Sequence, residues 1–143
     1  MKKCSLYFII FIIIVIVALS VWFSINDDEK THESEFNVID TAGNLSDAIQ
    51  MAKTKNKKVF VVFESDTCTY CSQLRQNTLN NNQVMEKLNE SYVVTVVNVN
   101  DNPEIASKYD VYSTPVMIIL DSEGNELKSI TGYYGPNDLL GMI

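Results

Sequence analysis

The sequence is poor in the residues that cross-link a chain or bind metal, with three cysteines and one histidine in 143 residues. Three cysteines are too few for a scaffold held together by disulfides. One histidine and two neighbouring thiols cannot complete a four-ligand zinc site, so we expect no metal and no cofactor. Basic residues are also scarce, because eleven Lys and Arg face eighteen Asp and Glu. This acidity argues against nucleic acid as a partner, since phosphates need basic contacts.

Charge is absent between Cys4 and Ile25, directly after Lys2 and Lys3. The apolar core Leu6–Ile25 has 20 residues, and a helix of that length spans ~30 Å, the thickness of a bilayer's hydrocarbon core. We therefore predict that residues 1–25 form a transmembrane anchor. The lysines favour a cytoplasmic N-terminus, which gives a single-pass protein of the cell membrane with an extracytoplasmic C-terminal domain.

A cleaved signal peptide is the alternative interpretation of this segment. Ala18 and Ser20 have the small side chains that cleavage requires. However, the apolar core exceeds the ~7–15 residues usual in signal peptides, and bulky residues 21–23 follow the candidate site. We favour the uncleaved anchor; in both cases the remaining domain is exported.

After a charged linker at residues 26–35, residues 36–143 show the pattern of one α/β domain. Continuous β-prone runs predict strands covered on both faces, and apolar residues at helical spacing predict the intervening helices. Glu123-Gly124 predicts a turn between the last two strands, which are close enough in sequence to pair as an antiparallel hairpin. We expect a central mixed sheet of four to five strands with helices on both faces. The predicted strands are 36–40, 58–65, 91–100, 114–121 and 126–133, and the predicted helices are 45–57, 69–90, 102–110 and 135–143.

Two thiols three residues apart, Cys68 and Cys71, stand where the strand at 58–65 gives way to a helix. The first amides of a helix are unpaired donors with partial positive charge, and they stabilise a thiolate. A fall in the Cys68 pKa from ~8.5 to ~6.5 would raise the thiolate fraction at pH 7 from about 3% to about 75%. This placement favours redox chemistry over two alternatives, which are a structural disulfide and half of a metal site. A structural disulfide here would close so short a loop that it would stabilise the fold little.

Read as a whole, residues 36–143 resemble the thioredoxin family, and within it the exported and membrane-tethered members. The resemblance rests on VFVVFESDTCTYC at a strand-to-helix junction, a Thr-Pro that enters the next-to-last hairpin, a D-x-x-G-x turn and a Gly in the last strand. It implies the thioredoxin fold and the activity of a thiol–disulfide oxidoreductase.

The resemblance also implies roles for individual residues. Cys68 would attack the substrate disulfide and the more buried Cys71 would resolve the mixed disulfide. Thr69 and Tyr70 would tune the redox potential and lie against the substrate. Thr114-Pro115 would form a cis-proline loop beside the thiols, where an extended substrate chain binds.

The sequence departs from the family pattern near the thiols. Val62 stands where thioredoxins have a buried Asp six residues before the first Cys, and Thr67 replaces the usual Trp. Glu64 is the nearby carboxylate on the same strand, which makes it the candidate for proton transfer. We expect Tyr133 and Tyr134 to be edge and core residues.

These features predict an oxidoreductase that acts on thiols and disulfides of exported proteins. We favour the reducing direction, with a membrane electron-transfer protein as the candidate recharging partner, because a tether raises the local concentration of such a donor. A monomer is the default expectation. Two alternatives remain: a thioredoxin-like chaperone or assembly module that binds thiol-containing clients without multiple turnover, and a structural protein with an inert disulfide.

Overall fold

The computed structural model of the chain describes residue 15 and residues 41–143. The predicted anchor, apart from residue 15, therefore lies outside the described residues. So do the linker, the predicted strand at 36–40, Cys4 and His32. In the part that is described, no helix combines the length and the apolar character needed to cross a bilayer.

Five strands form one mixed sheet in the order β1-β3-β2-β4-β5. β1, β3 and β2 are parallel, β4 is antiparallel to β2, and β5 is antiparallel to β4. The predicted mixed sheet that ends in an antiparallel hairpin is confirmed. Its strands are β1 (Thr41–Ala42), β2 (Lys58–Glu64), β3 (Tyr92–Asn98), β4 (Val116–Leu120) and β5 (Glu126–Thr131).

Helices occupy the regions predicted for them. They are α1 (Leu45–Lys55), α2 (Thr69–Gln73), a π-helix (Leu74–Leu79), α3 (Asn82–Ser91), α4 (Pro103–Lys108) and α5 (Pro136–Leu140). Asn44 caps α1 by accepting a 2.9 Å hydrogen bond from the Asp47 amide. At the start of α4 the Asn102 side chain donates to the Asn98 carbonyl and makes no capping hydrogen bond.

The segment predicted as one helix at 69–90 is divided into three pieces. α2 passes directly into the π-helix, whose last turn closes with an Asn80 amide bond to the Arg75 carbonyl. The chain then breaks at the asparagines, and the Asn81 side chain caps α3 by accepting from the Gln83 and Val84 amides. The helix expected over residues 69–90 is therefore interrupted, and it includes a π-helical turn.

Both faces of the sheet are covered, as the uninterrupted apolar runs of β2 and β3 require. On one face, α1 and α4 pack over Val59, Val61 and Phe63. On the other face, the π-helix, α3 and α5 pack over Phe60 and Val62. The central strand β2 is thus buried on both sides, which makes it a rigid support for the residues that follow its C-terminal end.

Four loops meet at one edge of the sheet, by which we mean the end at which β2, β3 and β5 finish and β4 begins. The register pairs Phe63 with Val116 and Val116 with Thr131, so the end of β2, the start of β4 and the end of β5 are adjacent. Glu64 pairs with Asn98, which adds the end of β3 to the same edge. Cys68 and Pro115 are therefore brought to one end of the domain, although 47 positions separate them in the sequence.

Candidate active site

Cys68 and Cys71 form a disulfide at the start of α2, with their Cα atoms 5.2 Å apart. Cys68 is the N-cap residue, and its Sγ accepts a 3.1 Å hydrogen bond from the Cys71 amide. Cys71 is 4% exposed, whereas Cys68 is half-buried. Cys68, the more exposed of the two cysteines, is thus the one whose sulfur accepts a hydrogen bond from a backbone amide. The sequence predicted this stabilisation of Cys68 by amides at the helix start.

The turn that carries the dithiol follows from its polar residues. The Cys68 amide donates to the Ser65 carbonyl at 3.2 Å, which closes a turn between β2 and α2. The Asp66 carboxylate accepts hydrogen bonds from the side chains of Asn98 and Asn100 at 2.6 and 3.0 Å. These contacts fix the dithiol turn to the end of β3.

The loop before β4 lies against the same turn. The Thr114–Pro115 bond is cis, as predicted. The hydroxyls of Ser65 and Thr114 share a hydrogen bond at 3.0 Å, which joins the dithiol turn to this loop. The Pro115 carbonyl accepts from the Gly132 amide at 2.8 Å, so the residues after β5 are held to the loop as well.

The π-helix is anchored on its far side. Thr78 is fully buried, and its hydroxyl donates a 2.6 Å hydrogen bond to the Tyr134 carbonyl. Leu74 and Leu79 are buried in the same cluster. Single-turn π-helical segments inside helices are frequently found at functional sites. Here the segment begins three residues after Cys71.

Glu64 lies on the face of β2 that carries the dithiol helix, and it forms a salt bridge with Arg75 of the π-helix. Both side chains are partly buried. Val62, at the position of the thioredoxin Asp, is 3% exposed and belongs to the apolar cluster on the same face. Glu64 is thus the carboxylate that β2 presents toward the dithiol helix, and Arg75 holds it in an ion pair.

The structure brings together all seven residues that the sequence singled out. They are Glu64, Cys68, Thr69, Tyr70, Cys71, Thr114 and Pro115, and they lie at the edge where β2 ends and β4 begins. Thr69 and Tyr70 are exposed, and Pro115 is buried. Their individual roles in catalysis remain predictions.

Sequence reasoning missed the residues that join these loops. Ser65 and Thr78 hold the dithiol turn and the π-helix, and Arg75 pairs with Glu64. A pattern of small hydroxyl residues beside the motif gave no specific signal. Tyr133 is 38% exposed and Tyr134 is half-buried, in keeping with an edge and a core residue.

No group of three or more side chains able to hold a metal ion comes together within residues 41–143. The arrangement presents the two adjacent sulfurs of Cys68 and Cys71. One sulfur is accessible and accepts a backbone amide, and the other lies beneath it.

Comparison with known proteins agrees with this geometry. The thioredoxin-like domain family matches residues 45–143, which is well over half of the chain. The chain belongs to the thioredoxin-like domain family. The thiol:disulfide interchange protein DsbD of Campylobacter jejuni is 27% identical over 107 residues, which are 73% of this chain and 19% of that protein. A protein disulfide-isomerase of Triticum aestivum is 31% identical over 104 residues, which are 71% of this chain and 19% of that protein. The chain thus spans about a fifth of the length of these curated relatives.

Solved structures confirm the thioredoxin fold. A thioredoxin from Thermus thermophilus superimposes with a TM-score of 0.67 at 24% identity, covering 73% of this chain and 84% of the other. The oxidised C-terminal domain of DsbD from Neisseria meningitidis gives a TM-score of 0.59 at 18% identity, covering 68% of this chain and 89% of the other. The thioredoxin-like domain here therefore has its dithiol at the start of α2 within a fold shared with these proteins.

Proposed function

We propose that the domain is a thiol–disulfide oxidoreductase that reduces disulfides in exported proteins while anchored to the cell membrane by residues 1–25. The observation that carries this proposal is the accessible Cys68 sulfur, which accepts the Cys71 amide beside the cis-proline loop. Relatives named as thiol:disulfide interchange proteins support the same reaction class.

The reaction follows from the positions of the two sulfurs. The Cys68 thiolate attacks one sulfur of the substrate disulfide, so that a mixed disulfide forms and the other substrate sulfur leaves as a thiolate. Cys71 then attacks the Cys68 sulfur, which releases the second substrate thiolate and closes the Cys68–Cys71 disulfide. Two electrons pass from the dithiol to the substrate, and the proton lost by Cys71 and one proton from water convert the two released thiolates into thiols. A membrane electron-transfer protein then reduces the Cys68–Cys71 disulfide again.

A backbone amide can stabilise the thiolate without any charged side chain. The Cys71 N–H would donate to the Cys68 anion as it donates to the sulfur of the disulfide, and hydrogen bonds to an ionised acceptor are roughly twice as strong as neutral ones. A lower pKa makes Cys68 both a better nucleophile at neutral pH and a better leaving group when Cys71 attacks. Both effects favour repeated thiol–disulfide exchange, which a structural disulfide does not need.

The test uses the full-length chain in detergent micelles with insulin as the disulfide substrate and a chemical reductant as the electron source. We expect many turnovers per protein molecule, loss of activity in Cys68→Ser, and accumulation of mixed disulfides in Cys71→Ser. A single stoichiometric binding event without turnover would favour the alternative of a client-binding assembly module. Alkylation of Cys68 no faster than that of a free thiol would instead indicate an inert structural disulfide.

The reducing direction is tested by the redox potential of the Cys68–Cys71 pair in a glutathione or dithiothreitol buffer. A value near that of thioredoxin, about −270 mV, supports a reductant. A value near about −120 mV, typical of a strong oxidant, would overturn the direction while leaving the exchange chemistry intact.

The location is tested separately from the activity. A thiol reagent that cannot cross the cell membrane should label Cys68 of the reduced protein when it is added to cells whose cell membrane is intact. The protein should remain in the membrane fraction after a salt wash. Release of a shortened chain into the soluble fraction would show that the N-terminal segment is cleaved.

A further inference from the structure

Exposed tyrosines lie at the edge of the sheet that carries the dithiol. Of the five large apolar side chains that are exposed among the described residues, three lie at the edge of the sheet that carries Cys68. Tyr70 is 61% exposed in the motif itself, Tyr112 is 84% exposed in the cis-proline loop, and Tyr133 follows β5. Aromatic rings left in water around a reactive group are typical of a surface that binds another chain.

The same edge is acidic. We define the dithiol rim as segments 64–73, 98–104, 110–114 and 131–135, which meet where β2 and β3 end and β4 begins. The rim contains no Lys or Arg. The nearest basic side chains are occupied, since Arg75 pairs with Glu64 and Lys108 lies 4.9 Å from the centre of the Tyr109 ring. Apart from Glu64, whose charge Arg75 neutralises, the rim's acidic residues are Asp66, Asp101, Glu104 and Asp110.

Tyr112 is held in place despite its exposure. Its hydroxyl donates a 3.0 Å hydrogen bond to the Asp110 carboxylate, two residues before it in the same loop. That bond and the nearby negative charge raise the pKa of Tyr112 above its ordinary value near 10. Asp110 itself has a positive φ of 53°, a left-handed conformation that orients the loop. A ring fixed by a carboxylate presents an open face with negative charge at its edge.

This pairing matches the chemistry of a cationic side chain. A guanidinium stacks on an aromatic face through cation–π attraction, and it also bonds to a carboxylate. Asp110 and Tyr112 offer both partners, three to five residues before cis Pro115. Charge complementarity thus identifies the occupant as a basic segment of a protein chain rather than an acidic or purely apolar one.

We propose that the dithiol rim selects protein substrates whose reactive cysteine is flanked by basic side chains, arginine above all, with Asp110 and Tyr112 as the specificity-determining pair. This inference rests on the proposed oxidoreductase function and names the substrate class of that site. Attraction to the rim would raise the rate of encounter and would orient the chain along the cis-proline loop.

The test measures the rate at which the reduced full-length chain, in detergent micelles, reduces three synthetic peptides. Each peptide carries one cysteine blocked as a mixed disulfide with a chromogenic thiol, and they differ in having Arg, Ala or Glu on both sides of that cysteine. Exposed ion pairs alter equilibria and rates by small factors that salt suppresses. We therefore expect the Arg peptide to react about fivefold faster than the Ala peptide and the Glu peptide about fivefold slower, at low ionic strength. In about 0.5 M NaCl the three rates should converge to within about twofold.

Two variants assign the effect to the loop. Asp110→Asn keeps a residue that tolerates a positive φ and removes the charge, so the Arg-to-Glu rate ratio should fall by about threefold. Tyr112→Leu keeps an apolar side chain without the ring face and should lower the Arg peptide rate more than the Glu peptide rate. The matched control is Glu126→Gln, which removes one charge at the opposite end of β5 and should leave the ratio unchanged.

The outcomes separate this inference from the function on which it rests. Equal, measurable rates for all three peptides would overturn the selectivity and leave the oxidoreductase intact. Equal losses for all peptides in Asp110→Asn would also overturn it, because they would indicate a structural role for the loop. Failure of the wild-type chain to reduce any peptide, although Cys68 is reduced and accessible to alkylation, would overturn both proposals.

Discussion

Neutralisation of Arg75 by Glu64 should limit how far Arg75 lowers the pKa of Cys68, and Glu64→Gln tests this. In the wild type the two charges cancel beside the dithiol helix. Glutamine keeps the size of the side chain and can still accept a hydrogen bond from Arg75, so the substitution removes mainly the negative charge. Arg75 is then left as an uncompensated cation on the helical segment that begins at α2.

The magnitude follows from the helical geometry. Arg75 comes seven residues after Cys68 in the continuous run of α2 and the π-helix, which corresponds to an axial separation of roughly 10 Å. Two unit charges at that distance interact by about 1.7 kcal/mol at an effective dielectric of about 20. Screening over a Debye length of about 8 Å reduces this to about 0.5 kcal/mol at physiological salt. Since one pKa unit is ~1.4 kcal/mol, Glu64→Gln should lower the Cys68 pKa by about 0.4 unit, and by about 1 unit at low salt.

The assay is the pH dependence of Cys68 alkylation, or of thiolate ultraviolet absorbance, in a Cys71→Ser background where Cys68 is the one thiol of the dithiol. Arg75→Gln should shift the pKa upward, and the double variant should return close to the wild-type value. An unchanged or raised pKa in Glu64→Gln at low salt would refute the electrostatic reasoning. If the Cys68 pKa is unchanged but attack by Cys71 slows about tenfold in Glu64→Gln with both cysteines present, Glu64 would be the proton acceptor predicted from the sequence.

Three further substitutions test the packing and the turns. Leu74→Ala empties a fully buried position at the start of the π-helix and should lower the free energy of unfolding by about 3 kcal/mol in a urea titration, and a loss below about 1 kcal/mol would contradict the packing. Tyr109→Phe removes a 3.0 Å hydrogen bond to the Gly124 carbonyl and should cost about 1 kcal/mol by the same titration, whereas no loss would mean that water replaces the bond. Asp121 accepts from the Asn125 side chain, the Asn125 amide and the Glu123 amide, and these bonds lower its pKa. The ionised Asp121 carboxylate therefore stabilises the fold above about pH 3.9, and this stabilisation is lost as the pH falls through the lower pKa of the folded state. Asp121→Asn should make the thermal unfolding temperature depend less on pH in acid. An equal slope in both proteins would refute this.

Local patterns in the sequence identify the framework of the domain correctly. The apolar run of β2 predicts a strand covered on both faces, and the structure buries five consecutive residues from Val59 to Phe63. Asn44 and Pro136 mark helix starts because a side-chain cap and a fixed φ act within one turn of the chain. The dithiol is predictable for the same reason, since a strand, a turn and a helix start are all encoded by neighbouring residues.

The sequence does not predict which side chains pair across the site. Ser65 meets Thr114 across 49 positions, and Thr78 meets the Tyr134 carbonyl across 56. Glu64 meets Arg75 across 11 positions, and Arg75 lies in a π-helical turn that has no distinct residue pattern. None of these contacts leaves a periodic signal, because each depends on how two separately predictable elements pack.

The amino-acid sequence by itself determined the strands and helices, the position of the two thiols at a helix start and the excess of acidic residues. The tertiary structure alone decided that Arg75 neutralises Glu64, and that Asp110 and Tyr112 lie at the same edge as Cys68. The physical reason is the distance along the chain over which each effect acts, since propensity, capping and hydrophobic period act over a few residues. The charge and aromatic surface around the dithiol depend on four loops that meet once β2, β3, β4 and β5 have paired.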